Sequence, residues 1–384
     1  MTYPYIIAGT GAAGLSLAFY LAQTSLNKQK ILLIDKNLKN QNDRTWCFWQ
    51  KEISPFEEII FHKWQKISFF SRFLEKTFDI LPYSYKMIRG IDFYKFTQDF
   101  IRKNSHFEFL QAEVYQIEET PEEVILHTSK GEIRAKYVFN GLWQVPQNFE
   151  RKKGYFYWFQ HFKGWFLQTQ KIYFQADTMT YMDFRVPQKP HEVRFGYVLP
   201  FAENQALVEF TLFSKHLLTE TEYLQALKNY TENILGISNY TIQESEFGVI
   251  PMFDEPFVQK KPHRIIPIGT LAGAAKASTG FAFDRIQRQT HFLAQNLAQN
   301  GKIALPKEKM KYRWYDSALL NVIERNRLSS EQVFSILFQK HPIKRIFRFL
   351  DEESNWWEDI QIMNAMPWKP FLQAIYENWK NRVF

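Results

Sequence analysis

Gly9-Thr10-Gly11-Ala12-Ala13-Gly14 follows a short apolar run, Tyr5 to Ala8, and opens a stretch whose apolar positions Leu15, Ala18, Phe19 and Ala22 suit a helix. A second apolar run, Ile31 to Asp35, comes next, so the spacing predicts a βαβ opening. The three glycines serve different ends. Gly9 permits the tight turn, Gly11 lets the backbone approach a pyrophosphate, and Gly14 lets helix and strand pack closely. The N-terminus of the helix favours negative phosphates. Asp35, 21 positions after Gly14, can accept hydrogen bonds from a ribose. A lone GxGxxG carries little information, but a strand before it, a helix after it and an acid closing the second strand point to a nucleotide.

A second run of small residues, Gly269-Thr270-Leu271-Ala272-Gly273-Ala274-Ala275-Lys276-Ala277-Ser278-Thr279-Gly280, also lies between a buried strand (Arg264 to Ile268) and a helix (about Phe281 to Asn300). Gly269 stands 260 positions after Gly9. Two such strand-to-helix turns imply one cofactor long enough to touch both, which selects FAD over NAD and places the ribityl or flavin end at Gly269, Thr270 and Gly280. The bland reading of the second turn is a small-residue packing loop. Arg44, after the second strand, and Arg89, before a helix predicted over Phe93 to Lys103, are candidates to contact FAD; surface ion pairs are the competing role for both.

The predicted fold is therefore α/β: an FAD-binding Rossmann-type domain of the two-dinucleotide-binding, hydroxylase-like kind, an antiparallel-sheet substrate domain and a helical C-terminal region. Residues 1–60, 86–145 and 262–300 are assigned to the first, 61–85 and 146–261 to the second, and 301–384 to the third. Phe107 to Gln116, Val124 to Thr128 and Glu132 to Phe139 read as a small antiparallel meander with a turn at Ser129-Lys130-Gly131. Val193 to Leu199 and Ala206 to Phe213 read as strands of a second sheet, and Leu218 to Leu235 as a helix ended by Gly236.

Composition bounds the chemistry. At 384 residues the chain is long enough for two or three lobes, and 45% hydrophobic with 23% charged residues is globular. Aromatics reach 17%, with 37 phenylalanines, which fits a ring-built core, an enclosed apolar ligand or both. Cys47 is the single cysteine, so no internal disulfide or thiolate metal cluster forms; a reducing cytoplasm fits and no metal is expected. The chain enters its first strand too early for a segment of signal-peptide type, and no apolar run approaches the roughly 18 to 20 residues that span a bilayer. Net charge is +8 without a tract of like charges, which argues against nucleic acid and leaves a solvated surface or anionic lipid as the partner of that charge.

Several segments, in order over roughly residues 3 to 290, resemble the lycopene β-cyclases of bacterial carotenoid synthesis. They are Asn42-Asp43-Arg44-Thr45-Trp46-Cys47-Phe48-Trp49, Ile88-Arg89-Gly90-Ile91-Asp92-Phe93-Tyr94, Gly196-Tyr197-Val198-Leu199-Pro200-Phe201, Gly248-Val249-Ile250-Pro251-Met252 and Ile268-Gly269-Thr270, the last continuing into Lys276-Ala277-Ser278-Thr279-Gly280-Phe281-Ala282-Phe283. The family's central motif, Phe-Leu-Glu-Glu-Thr, is matched by Leu207-Val208-Glu209-Phe210-Thr211, which keeps only the first glutamate. The resemblance implies cyclisation of the linear ends of lycopene to β-rings without net oxidation, with reduced FAD, NADPH as its electron source, and Glu209 as acid or base. Strand alternation supports that assignment: Leu207, Glu209, Thr211 and Phe213 share one mostly apolar face, which raises a carboxyl pKa. An ion pair of Glu209 with Arg185 or Arg194 is the competing role.

Lys276 is the candidate cation beside the flavin, against an exposed surface lysine, and rings from Tyr155 to Trp165 are candidates to face positive charge or simply to fill core. Because a linear carotenoid lives in lipid, the resemblance also implies a cytoplasmic protein peripherally attached to the inner face of the membrane. The basic amphipathic stretch Phe334 to Leu350, broken by Pro342, is the candidate contact, and packing against the FAD domain is its alternative. Two rival functions stand beside the cyclase: a related FAD-dependent monooxygenase or reductase of another isoprenoid, and a non-catalytic lipid-binding escort.

Overall fold

The computed structural model describes residues 2–144, 151–256 and 264–383. Its first sheet has seven strands. Thr2–Ala8 lies between Ile31–Asp35 and Gly131–Asn140, Phe107–Gln111 extends the parallel half beyond Ile31–Asp35, and Val124–Thr128 and Val114–Glu119 extend the other side. The short strand Ile265–Pro267 pairs in parallel with the end of Gly131–Asn140. Ile6 to Ala8 and Ile31 to Ile34 are buried almost without interruption, as parallel strands covered on both faces must be. The helices Ala12–Leu21 and Phe283–Asn300 cover one face together, tied by the Gln287 amide donating to Ser16 Oγ at 2.9 Å.

The stretch Phe107 to Gln116, read as one strand of a meander, is two strands parted at Ala112 and Glu113. Its first half runs parallel to Ile31–Asp35 and only its second half joins the antiparallel meander. Composition does not distinguish these partners, because both halves carry comparable apolar content.

The second seven-stranded sheet runs in the order Tyr240–Phe253, Tyr157–Thr169, Gln205–Ser214, Val193–Ala202, Thr178–Asp183, Lys66–Phe70, Glu75–Asp79. All its pairings are antiparallel except Thr178–Asp183 with Lys66–Phe70. A small third sheet, Thr45–Gln50, Ser84–Arg89 and His62–Trp64, stands apart from both. The domain boundaries expected near 145 and 261 lie outside the described residues.

Each face of the second sheet has its own cover. Val208, Phe210 and Leu212 pack on Tyr223, Leu227 and Tyr230 of the helix Glu220–Asn229 and the turn after it, a helix begun by a capping box between Thr219 and Glu222. The other face meets an aromatic core completed by the helices Ser330–Lys340 and Ile343–Leu350, where Phe338 stacks on Phe69 at 4.6 Å and Phe347 on Trp49 at 4.7 Å. Phe334, Leu337, Phe338, Ile343, Ile346 and Phe347 are all buried there, so the Phe334 to Leu350 stretch is core and not a membrane contact. Its basic residues lie on the opposite side, and amphipathicity by itself does not say whether lipid or protein covers the apolar side. No helix among the described residues is long and apolar enough to cross a membrane.

Candidate active site

The two glycine turns meet. Gly9 has φ +94°, and a Cβ on Gly14 would fall 1.9 Å from the Gly9 carbonyl oxygen, so only hydrogen lets the helix start this close to the strand. Gly269, at φ +62°, would place a Cβ 2.5 Å from that of Ala13, which docks the second turn on the first helix although the two residues are 256 positions apart. Gly11 is the exception: a Cβ there meets nothing within 4 Å, leaving an open face beside the helix N-terminus. Asp35 is held beside it, its carboxylate accepting from the backbone N–H of Thr10 at 2.7 Å and of Asn37 at 2.9 Å.

A cavity of about 770 Å³ is lined by Gly9, Gly11, Gly14, Asp35 and Arg44 from the first turn and its surroundings, and by Thr270, Thr279 and Gly280 from the second. Its walls continue onto the second sheet through Gln160, Phe162, Phe195, Tyr197, Glu209, Thr211 and Phe213, and onto the C-terminal helices through Phe334 and Phe338. Thr279 Oγ1 and Gln160 Oε1 are buried without a hydrogen-bond partner among the described residues, and both residues belong to the lining. An open glycine cradle, a fixed ribose-type acceptor and unpartnered polar atoms further in together fit an extended dinucleotide.

Glu209 is 7% exposed on the cavity face of its strand. Burial and the neighbouring carboxyl of Glu246 hold its proton well above the usual carboxylate range. The arginines expected to compete for it are engaged elsewhere, Arg185 with Asp183 at 2.6 Å and Arg194 with Glu192 at 2.6 Å. Phe210, at the position of the family's second glutamate, is 1% exposed on the opposite face, in the core against Tyr230. A carboxylate there would point away from the cavity, so its replacement by phenylalanine removes nothing from this site.

The sheet supplies a second carboxyl by another route. Gly164, on the strand Tyr157–Thr169, pairs with Glu209 on one side and with Glu246 on the other. A Cβ at Gly164 would lie 2.9 Å from Glu209 Cγ and 3.3 Å from Glu246 Cγ, so the missing side chain is what lets the two acids share the space above it. The Thr45 hydroxyl donates to Glu246 Oε2 at 2.8 Å. Tyr197, opposite Glu209 in register, shares a 2.8 Å hydroxyl hydrogen bond with Tyr85, and Cys47 lies beside it on the cavity wall; burial raises all three above their ordinary pKa values.

Two residues expected at the cofactor are elsewhere. The Lys276 ammonium is 3% exposed and bridges Asp316 at 2.9 Å and Glu352 at 3.2 Å, tying the second turn to the C-terminal helices. Arg89 closes a bidentate pair with Asp92 and lies over the Phe61 ring; neither cation lines the cavity. Arg44 does line it, with an exposed guanidinium 3.6 Å from Asp43. Of the aromatic run Tyr155 to Trp165, Phe162 alone lines the cavity.

This is the α/β fold of the FAD-binding, hydroxylase-like flavoproteins. It resembles a flavoprotein/dehydrogenase from Cytophaga hutchinsonii, at 12% identity over 98% of this chain and 99% of that one with a TM-score of 0.63. It also resembles a geranylgeranyl bacteriochlorophyll reductase-like protein from Thermoplasma acidophilum, at 12% identity over 100% and 98% with a TM-score of 0.60. Within that class, the chain belongs to the lycopene cyclase protein family, whose model matches residues 5–376. A lycopene beta cyclase, chloroplastic/chromoplastic, from Narcissus pseudonarcissus is 28% identical over 137 residues; the match spans 33% of this chain and 27% of that relative's length.

Proposed function

We propose that this protein closes the linear ψ-ends of lycopene into β-ionone rings, giving β-carotene by way of the one-ringed intermediate. The observation that carries the reading is a carboxyl, Glu209, buried on the wall of a ring-lined cavity that begins at the dinucleotide turns, where burial raises its pKa. Protonating an isolated alkene needs an acid that still holds its proton near neutral pH, and burial supplies it. The Glu209 proton goes to the terminal double bond and leaves a tertiary cation. The next double bond attacks that cation to close the six-membered ring, and a ring proton then returns to the carboxylate. Protons and electrons balance, so the product is an isomer of the substrate.

The chain's own residues position the end group and keep water out. Phe162, Phe195, Phe213, Phe281, Phe334 and Phe338 form apolar walls, and ring faces also attract a passing cation. Gly9, Gly11, Gly14, Asp35, Arg44, Thr270 and Gly280 line the cavity and would hold FAD, while Gly269, off the lining, would seat the second turn against Ala13. The chemistry that FAD would supply when bound there in reduced form, with NADPH as electron source, is negative charge to stabilise the cation without passing electrons to the substrate. In this reading the FAD domain comprises 1–60, 86–145 and 262–300, the substrate domain 61–85 and 146–261, and residues 301–384 the helical region.

We also propose that the protein sits on the inner face of the cytoplasmic membrane through its last two helices, Trp356–Ala365 and Trp368–Val383. Trp356, Trp357, Trp368, Leu372, Tyr376 and Trp379 are exposed on them, beside exposed Lys369 and Lys380. Their acids are taken up: Glu358 pairs with Arg348, Asp359 with Lys311 and Glu377 with Arg325. Indole rings beside lysines match the headgroup boundary of an anionic bilayer.

Expression in cells that accumulate lycopene tests the central reaction. The expected product has the mass of lycopene and two rings. A product heavier by oxygen or hydrogen assigns the chain to a monooxygenase or reductase instead.

A further inference from the structure

We infer that Glu246 is a positioning residue for the acid: Glu209 and Glu246, brought to one face on either side of Gly164, hold a single proton between them. The inference rests on the cyclase reading for its consequence, but its geometry stands alone. Three observations converge. Both glutamates pair with the same glycine in register, and that glycine has no side chain to separate them. Glu246 Oε2 takes its hydrogen bond from Thr45, which fixes the carboxyl plane. Glu246 Oε1 is buried with no donor from the other described residues. A buried acceptor without a donor beside a second carboxyl is satisfied when that second carboxyl carries the proton.

Two carboxylates in contact cannot both ionise at neutral pH, so one proton stays with the pair. The split of roles follows from the surroundings. Glu246 already accepts from the Thr45 hydroxyl through Oε2, which leaves Oε1 as its acceptor toward Glu209. Glu209 lies deeper, among Leu207, Thr211 and Phe213 on its own strand, which favours its acid form. Among the described residues, the ionisable groups facing Glu209 are Glu246, from the strand beyond Gly164, Tyr197 from the adjacent strand on the other side, and Cys47 and Tyr85 from the small sheet. The three besides Glu246 are neutral at ordinary pH, so they add no competing charge. Glu246 therefore acts through Glu209: it keeps the acid loaded, and its negative charge favours return of the ring proton after closure.

The step needs no further reactant. One O–H bond on Glu209 breaks as one C–H bond forms on the substrate. Later a ring C–H bond breaks, its electrons become the ring double bond, and the proton reforms the O–H on the pair.

Infrared pH titration of the purified protein, read at the carbonyl stretch of a protonated carboxyl, tests the pair without substrate. The parent is expected to show a band that persists above neutral pH and is absent in Glu209→Gln. In Glu246→Gln the band is expected to remain but to titrate at a pH lower by about one unit or more, because the neighbouring charge is gone. Glu246→Asp, which restores the charge, is expected to move the midpoint back toward the parent. Gly164→Ala, which wedges a methyl between the two acids, is expected to lower it as Glu246→Gln does. Should the midpoint stay at the parent value in Glu246→Gln, the shared proton is refuted. Ring closure, measured in parallel, is expected to lose its alkaline limb at correspondingly lower pH in Glu246→Gln, with KM for the carotenoid unchanged. If the parent makes no rings while the infrared midpoints move as described, the cyclase reading falls and the proton pair stands.

Discussion

Gly11 and Gly14 stand three residues apart in one motif, and the structure assigns them opposite sensitivities. A methyl added at Gly14 would fall 1.9 Å from the Gly9 carbonyl oxygen and 3.1 Å from Ile7 Cγ2. Ordinary contact needs more than 3.4 Å, so strand and helix must part by over an ångström, an overpacking strain of about 1–3 kcal/mol. Gly11→Ala meets no atom within 4 Å, and its φ of −75° is one alanine adopts freely, so stability is expected to change by less than about 0.5 kcal/mol. That methyl occupies the open face where a pyrophosphate approaches, and flavin affinity is expected to fall by about tenfold or more, about 1.4 kcal/mol. Urea unfolding of the apoprotein and fluorescence titration with FAD separate the two effects. Gly14→Ala is expected to lose stability together with binding, and Gly11→Ala to lose binding alone. A Gly11→Ala protein that takes up FAD as the parent does would refute the cradle.

Other perturbations probe the frame around the cavity. His161, fully buried between Ser214 and Tyr223, has its pKa pushed down to about 4 by burial and by Arg194; its neutral form is the folded one. Stability is therefore full above the ordinary value of 6.5 and is lost as pH falls toward 4, by about 3 kcal/mol, a slope that urea unfolding at stepped pH should show and His161→Gln should lack. Lys276→Met leaves Asp316 without its buried cation, while Glu352 keeps Arg285 at 2.5 Å, and is expected to cost about 3 kcal/mol while leaving the spectrum of bound flavin unchanged; an altered spectrum would return Lys276 to the cofactor. Replacing Trp356, Trp357 and Trp368 together with glutamine is expected to abolish co-flotation with anionic vesicles without lowering Tm, and unchanged flotation would remove the last two helices as the lipid surface.

The parts of this site that are local in sequence were legible there. A glycine turn declares itself because its spacing is the backbone requirement, and Glu209 declares its face because alternation along a strand is geometric. Residues whose role depends on what lies across from them were not legible. Glu246 is exposed-looking in a polar run, Gln243-Glu244-Ser245-Glu246, and only its register opposite Gly164 brings it to Glu209. The one available clue was a glycine inside a strong strand pattern, which marks a close approach. Lys276 and Arg89 lie next to motif residues, yet nearness along the chain does not set where a long side chain points; each found carboxylates of its own. The same limit applies to Phe334 to Leu350: an amphipathic pattern records that one side is covered, and the cover proved to be the aromatic sheet.

The most direct measurement of the claim that Glu209 delivers the proton is mass analysis of product formed in deuterated water. The parent, with FAD reduced, is predicted to add one solvent deuterium for every ring it closes, and Glu209→Gln to return open-chain lycopene unlabelled. Rings that form without label, or at the parent rate in Glu209→Gln, would contradict it.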